Sequence, residues 1–207
     1  MAILYTTLAK EAHAEQTIER SRFISHASPA NSREEAEAFI ARMKSEYRDA
    51  SSHIPAFVIG DKMQLQWGSD GGEPQGTGGA PIVQMLVKEG LTNVVIVVTR
   101  YFGGIKLGTG GLVRAFTSSA KLAIDAAGRH DVRELRLLRT AIPYSALGKL
   151  QNSEKSMPFE IAETVFLENV EIALSYEPEA EEAVLKFLAD MLGGKWIREP
   201  EIEYTIS

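Results

Sequence analysis

Val94-Val95-Ile96-Val97-Val98-Thr99-Arg100-Tyr101-Phe102-Gly103-Gly104 is a run of aliphatic residues that ends in one arginine, two aromatics and two glycines. An unbroken β-branched run closed by glycines predicts a buried strand over Val94 to Arg100. A few residues later Gly108-Thr109-Gly110-Gly111 opens an apolar stretch. From Thr109 to Ala127 the spacing predicts a helix with Leu112, Val113, Phe116, Ala120, Ala123, Ile124 and Ala127 on one side and Arg114, Lys121 and Asp125 on the other, closed by Gly128. Upstream of the strand the same tetrapeptide recurs as Gly76-Thr77-Gly78-Gly79. It precedes a helix over Ala80 to Lys88, with Pro81 in the first turn and Gly90 at the end.

Further out, Ser21 to Ser25 reads as a short strand, and Asn31 or Ser32 caps a helix to about Tyr47 with Ala36, Phe39, Ile40 and Met43 on one face. Strands over Ile54 to Ile59 and Lys62 to Trp67 follow, joined by Gly60-Asp61. Ser69-Asp70-Gly71-Gly72-Glu73-Pro74-Gln75 is rich in turn formers and predicts an exposed loop. Gly128 to Asp131 reads as a linker, because the charge balance changes there and a new pattern begins. That pattern is strand (Val132 to Ile142), helix (Tyr144 to Asn152), strand (Phe159 to Leu167), strand (Val170 to Tyr176), helix (Pro178 to Leu192) and strand (Lys195 to Ile206), with Glu168-Asn169 as the central turn. This βαββαβ order is the ferredoxin-like plan. The expected class is α+β, with domains over 1–130 and 131–207.

At 207 residues with 44% hydrophobic content the chain can bury substantial cores. It has no cysteine, which excludes disulfides, thiolate metal sites and cysteine nucleophiles and fits a reducing compartment, so a cytoplasmic address is expected. Met1 to Glu19 meets Lys10-Glu11 without an apolar core, so neither a signal peptide nor an anchor is expected there. No later run approaches the roughly 20 apolar residues of a spanning helix, so no membrane contact is expected. The net charge of −6 is uneven: up to His130 there are 14 Lys and Arg against 13 Asp and Glu, and from Asp131 onward 8 against 15. Extended nucleic acid is therefore not expected on the acidic C-terminal domain. Arg100, Lys106, Arg114, Lys121 and Arg129 are offset only by Asp125 between them, a local basic patch suited to a discrete anion.

Glycine lets backbone N–H groups turn toward a ligand, and a helix start carries partial positive charge. The two tetrapeptides are thus either anion receptors or tight strand-to-helix connections. Neither matches the P-loop or the dinucleotide fingerprint, and no cofactor is expected. Arg100, at the end of an apolar strand, needs a carboxylate, an anion or water; a salt bridge to Asp70 or Glu73 and a ligand contact are compatible readings. Asp70 and Glu73 are weak acid-base candidates that also suit turn formation, and His53 is a weak catalytic candidate that also suits a structural role. The histidines lack ligand spacing, so no metal is expected. Trp196 with Ile197 is expected to pack core.

Ser21-Arg22-Phe23-Ile24, Ser69 to Gly79 and Val97 to Val113 together resemble the YigZ/Impact family, the last segment over the whole length of that family's signature. The resemblance implies an N-terminal α/β domain similar to domain IV of elongation factor G and a C-terminal domain similar to its domain V. Eukaryotic members of the family are linked to translational control under starvation, so the ribosome or a translation factor is the partner it suggests. Two departures stand out: Ser52-His53 where the family has a histidine pair, and Asp70-Gly71 where it has two aspartates. A binding role survives these changes better than a catalytic one. The expectation is a cytoplasmic regulatory or binding protein linked to translation. Its anion site is expected to draw on Gly76, Thr77, Gly78, Gly79, Arg100, Tyr101, Gly103, Gly104, Lys106, Gly108, Thr109, Gly110, Gly111 and Arg114. The alternatives are an enzyme for a phosphorylated or carboxylated small molecule, with Asp70 or Glu73 as acid-base, and an adaptor whose glycine loops are purely structural.

Overall fold

The aliphatic run lies at the centre of a sheet. In the computed structural model, which describes residues 3–206, the N-terminal part contains β1 (Ile3–Leu8), β2 (Ala12–Ile18), β3 (Ser21–Pro29), α1 (Arg33–Glu46), β4 (Ser52–Ile59), β5 (Leu65–Gly68), α2 (Gly79–Lys88), β6 (Val94–Tyr101) and α3 (Gly108–Ala127). Strands β2-β3-β6-β4-β5 form one sheet with every neighbour antiparallel. Successive strand side chains point to opposite faces. Val94, Ile96 and Val98 therefore join Phe23, Ile54 and Val58 against Ile82 and Leu86 of α2 and Phe116 and Ile124 of α3. Val95 and Val97 join Phe57 and Ile59 on the other face against Ala36, Phe39, Ile40 and Met43 of α1. Both faces of β6 are covered, which is why its sequence does not alternate.

The start of α1 is fixed locally. Ser32 Oγ accepts from Glu35 N at 3.2 Å, and the Glu35 carboxylate accepts from Asn31 N at 2.7 Å, a reciprocal arrangement of the capping-box kind. Before Ser21 the sequence reading placed no element, yet β1 and β2 are there. Thr7 Oγ1 donates to Asn93 O at 2.9 Å, and β2 forms the sheet edge beside β3.

The C-terminal part consists of β7 (Arg129–Ile142), α4 (Tyr144–Ser153), β8 (Glu160–Phe166), β9 (Val170–Tyr176), a 3-10 turn at Pro178–Ala180, α5 (Glu181–Leu192) and β10 (Arg198–Ile206). The antiparallel order β10-β7-β9-β8 is that of the ferredoxin-like plan. Leu138, Ile142, Val170, Ile172 and Leu174 pack on Ala146 and Leu150 of α4 and Val184 and Leu188 of α5, with Trp196 against this core and Ile197 exposed. The chain is α+β. It divides into two compact units, one over Leu4–Asp131 and one that takes up the chain from Val132. Arg129 to Asp131, most of the expected linker, is the first part of β7. No described helix is long and apolar enough to cross a membrane.

Candidate functional site

Strand alternation sends Arg100 to the α2 and α3 face, beside its cross-strand neighbours Phe23 and Ser52. It is only 5% exposed. Its Nη1 donates to both carboxylate oxygens of Glu73 at 2.9 and 2.8 Å, and its Nη2 to Ser21 Oγ at 3.2 Å. Ser52 Oγ donates to the same carboxylate at 2.7 Å. The guanidinium carbon lies 5.5 Å from the ring centroid of Phe23 and 5.2 Å from that of Phe102. Among the described residues Nε is buried and has no acceptor. Of the two carboxylates weighed for Arg100, Glu73 is the partner.

Asp70 has another task. Its Oδ2 accepts from Gly76 N at 2.8 Å, and its Oδ1 from Gly78 N at 2.9 Å and Gly79 N at 3.0 Å. The amides of the first glycine tetrapeptide, at the start of α2, thus surround a carboxylate from the chain itself. Partial burial pushes the Asp70 carboxyl up, but the three N–H donors outweigh it and hold the group below its ordinary range. Thr77 Oγ1 donates to Pro74 O at 2.6 Å. The expectation of an external anion at Gly76, Thr77, Gly78 and Gly79 is corrected on this point: the anion there is Asp70. Gly71 has φ +56°, and a Cβ on it would lie 1.9 Å from His53 O, so an aspartate in its place needs a different backbone path.

The second tetrapeptide differs. Both helix starts lack a side-chain cap and a first-turn acid, but among the described residues no carboxylate accepts from the first amides of α3 as Asp70 does from those of the first loop. The first N–H groups of a helix have no intrahelical acceptor, and this 20-residue helix adds its dipole. Gly108 and Thr109, at this helix start, line a cleft of about 580 Å³ together with Glu73, Arg100, Phe102 and Lys106. Gly110, Gly111 and Arg114 follow in the first turns of α3. The basic patch is narrower than the sequence suggested, because Lys121 pairs with Glu89 and Asp125, and Arg129 with Glu89. Among the described residues Lys106 and Arg114 form no ion pair with a carboxylate.

Other candidates fall elsewhere. His53, next to Ser52 on β4, takes the opposite face, where its Nδ1 is 3.2 Å from Thr99 Oγ1; burial, aided by Lys44, lowers its pKa. Tyr101 is likewise turned away from Arg100, its hydroxyl donating to Asp49 at 2.8 Å. Gly103 serves packing, since a Cβ there would lie 2.0 Å from Arg20 O and 2.6 Å from Ser21 N. Gly103→Ala is therefore expected to cost about 1–3 kcal/mol as overpacking against backbone, read as a lower urea midpoint with unchanged slope. Ser21, Ser52 and Phe102 belong to the site although none of them was among its expected residues. For the two serines the signal was their strand parity relative to Arg100.

A layered α/β unit with a glycine-rich cleft at the end of its central strand, followed in the chain by a ferredoxin-like unit, defines a two-domain class of protein. Residues 19–124 match the Impact N-terminal domain model, and residues 140–195 match a model described as Domain of unknown function (DUF1949). The chain belongs to the Impact family. It is 36% identical to the IMPACT family member YvyE of Bacillus subtilis (strain 168) over 201 residues, 97% of this chain and 93% of that protein. To the IMPACT family member YigZ of Escherichia coli (strain K12) it is 41% identical over 112 residues, 53% of this chain and 54% of that one. A solved structure described as a crystal structure of a hypothetical protein shares 29% identity and a TM-score of 0.59, covering 96% of this chain and 95% of its own.

Proposed function

We propose that the protein is a regulatory binding protein whose N-terminal unit holds a small anion at the start of α3. One observation carries this reading: the α3 start, from whose amides no carboxylate among the described residues accepts, belongs to a cleft that also contains Lys106 and the buried Arg100. The backbone N–H groups, the dipole and the ammonium of Lys106 all favour negative charge there. Binding suits these residues better than acid-base catalysis. Asp70 is held as a carboxylate by three amides, and the Glu73 carboxylate is engaged by Arg100 and Ser52. Translation is the process in which the family resemblance sets this binding, with the ribosome or a translation factor as partner, and the absence of cysteine supports the cytoplasm as the compartment.

Titration calorimetry with inorganic phosphate tests the anion site. Lys106→Ala is expected to weaken binding about tenfold or more, the equivalent of one charge-assisted hydrogen bond, while Lys149→Ala in the C-terminal unit leaves it unchanged. Equal weakening by both variants, or by neither, overturns the assignment. Sedimentation of the full chain with ribosomes, against a ribosome-free control, tests the link to translation.

A further inference from the structure

The α3 cleft is lined by two kinds of chemistry, and inorganic phosphate satisfies only one. Lys106, Gly108 and Thr109 supply donors and positive charge, whereas Phe102, Leu107, Pro74 and Leu112 supply apolar surface in the same cleft. Its volume of about 580 Å³ falls within the range of sites that enclose a whole small molecule. Phe102 is the informative residue. In a unit whose other phenylalanines are in the core, it is 49% exposed.

That exposure is built, not incidental. Phe102 N donates to Ser51 Oγ at 2.9 Å, and the next residue, Gly103, packs against the backbone of Arg20 and Ser21, so the chain is fixed on both sides of the ring. The Arg100 guanidinium lies 5.2 Å from the ring centroid and is itself held by Glu73 and Ser21. An exposed aromatic fixed in this way beside a cleft is a platform on which a flat ring can stack. In the same cleft, the N–H groups of a helix start, the Thr109 hydroxyl and the Lys106 ammonium suit the several oxygens of a tetrahedral oxyanion better than the two of a carboxylate.

We propose that the ligand of this cleft is a phosphomonoester that carries a planar ring, of the nucleoside 5′-monophosphate class, with its phosphate at the start of α3 and its ring on Phe102. This rests on the anion site proposed above and adds the chemistry of the remainder of the ligand. Lys106 and the α3 amides then set affinity for every phosphate, and Phe102 sets the preference for those that bear a ring.

Calorimetry on the full chain with adenosine 5′-monophosphate, ribose 5-phosphate and inorganic phosphate separates these roles. The ring-bearing compound is expected to bind at least about fivefold more tightly than ribose 5-phosphate, the lower end of one base stacked on one aromatic side chain. Phe102→Leu should abolish that preference and leave the affinity for ribose 5-phosphate unchanged, with thermal unfolding confirming that the variant is folded. Lys106→Ala should weaken both compounds by the same factor. Equal affinity of the ringed and ringless phosphates, or a preference that survives Phe102→Leu, overturns the inference and leaves the anion site standing. If none of the three compounds binds, the anion site itself is overturned.

Discussion

Arg100→Ala is expected to destabilise the N-terminal unit by about 3–5 kcal/mol, because it leaves the Glu73 carboxylate buried without its cation. The Glu73 and Arg100 side chains are 10% and 6% exposed, so water replaces little of the lost partner. Ser52 Oγ would remain as a donor to the carboxylate, but a hydroxyl does not neutralise it. The size of this effect measures the cost of breaking the pair, which is not the net contribution of the pair to folding. Arg100→Met combined with Glu73→Leu removes both charges, and it is expected to recover most of the loss, since apolar replacement of a whole buried pair is often neutral. The two tryptophans, Trp67 in the first unit and Trp196 in the second, allow urea unfolding to be followed by unit: with Trp196→Phe in the background, fluorescence reports Trp67 and so the unit that contains Arg100. An Arg100→Ala cost below about 1 kcal/mol, on the scale of an exposed pair, would show that the pair is solvated.

Most of the elements were legible in the sequence because strong local signals agreed with the packing. The β-branched run became β6, the Ser32 cap opened α1, and the four apolar residues expected on one side of that helix are the four it buries. Strand β9 runs from Val170 to Tyr176, the bounds expected of it. The signals failed where tertiary contact decided the outcome. In β2, Ala12, Ala14, Gln16 and Ile18 face inward, and two alanines with a glutamine make a weak apolar period; Gln16 is accommodated because its amide donates to Ser118 and Ser119 on α3. Gly128 to Asp131 read as a linker because the charge balance changes there and a new pattern begins, yet Arg129 to Asp131 form the exposed start of β7. At the site, sequence identified the loops and Arg100 but could not tell two identical tetrapeptides apart. What separates them is Asp70, which lies six residues before Gly76 and reaches the first loop, while the residue six before Gly108 is Phe102.

Asp70→Ala should accordingly be the second most damaging change in this region. It strands the N–H groups of Gly78 and Gly79, both buried, and that of the more exposed Gly76. At about 1–3 kcal/mol for each buried donor left unsatisfied, part of it relieved by water, the expected cost is about 2–4 kcal/mol. Asp70→Asn keeps one acceptor oxygen and loses the charge, so a smaller cost of about 1–2 kcal/mol is expected. The pH dependence separates the charge from the geometry. The folded carboxyl titrates below its unfolded value of about 3.9. Its contribution is therefore complete above that value and is lost as pH falls through the lower, folded one. The stability gap between the natural chain and Asp70→Asn should be widest at neutral pH and narrow as the solution is acidified below about pH 4, measured by urea unfolding of the N-terminal unit. A gap that stays constant with pH would mean that the charge contributes nothing and that only the hydrogen-bond geometry matters. Because the loop that Asp70 pins also carries Glu73, loss of the carboxylate should release the partner of Arg100 as well. The Asp70→Ala and Arg100→Ala effects should then combine to less than their sum, by an amount typical of residues in one network.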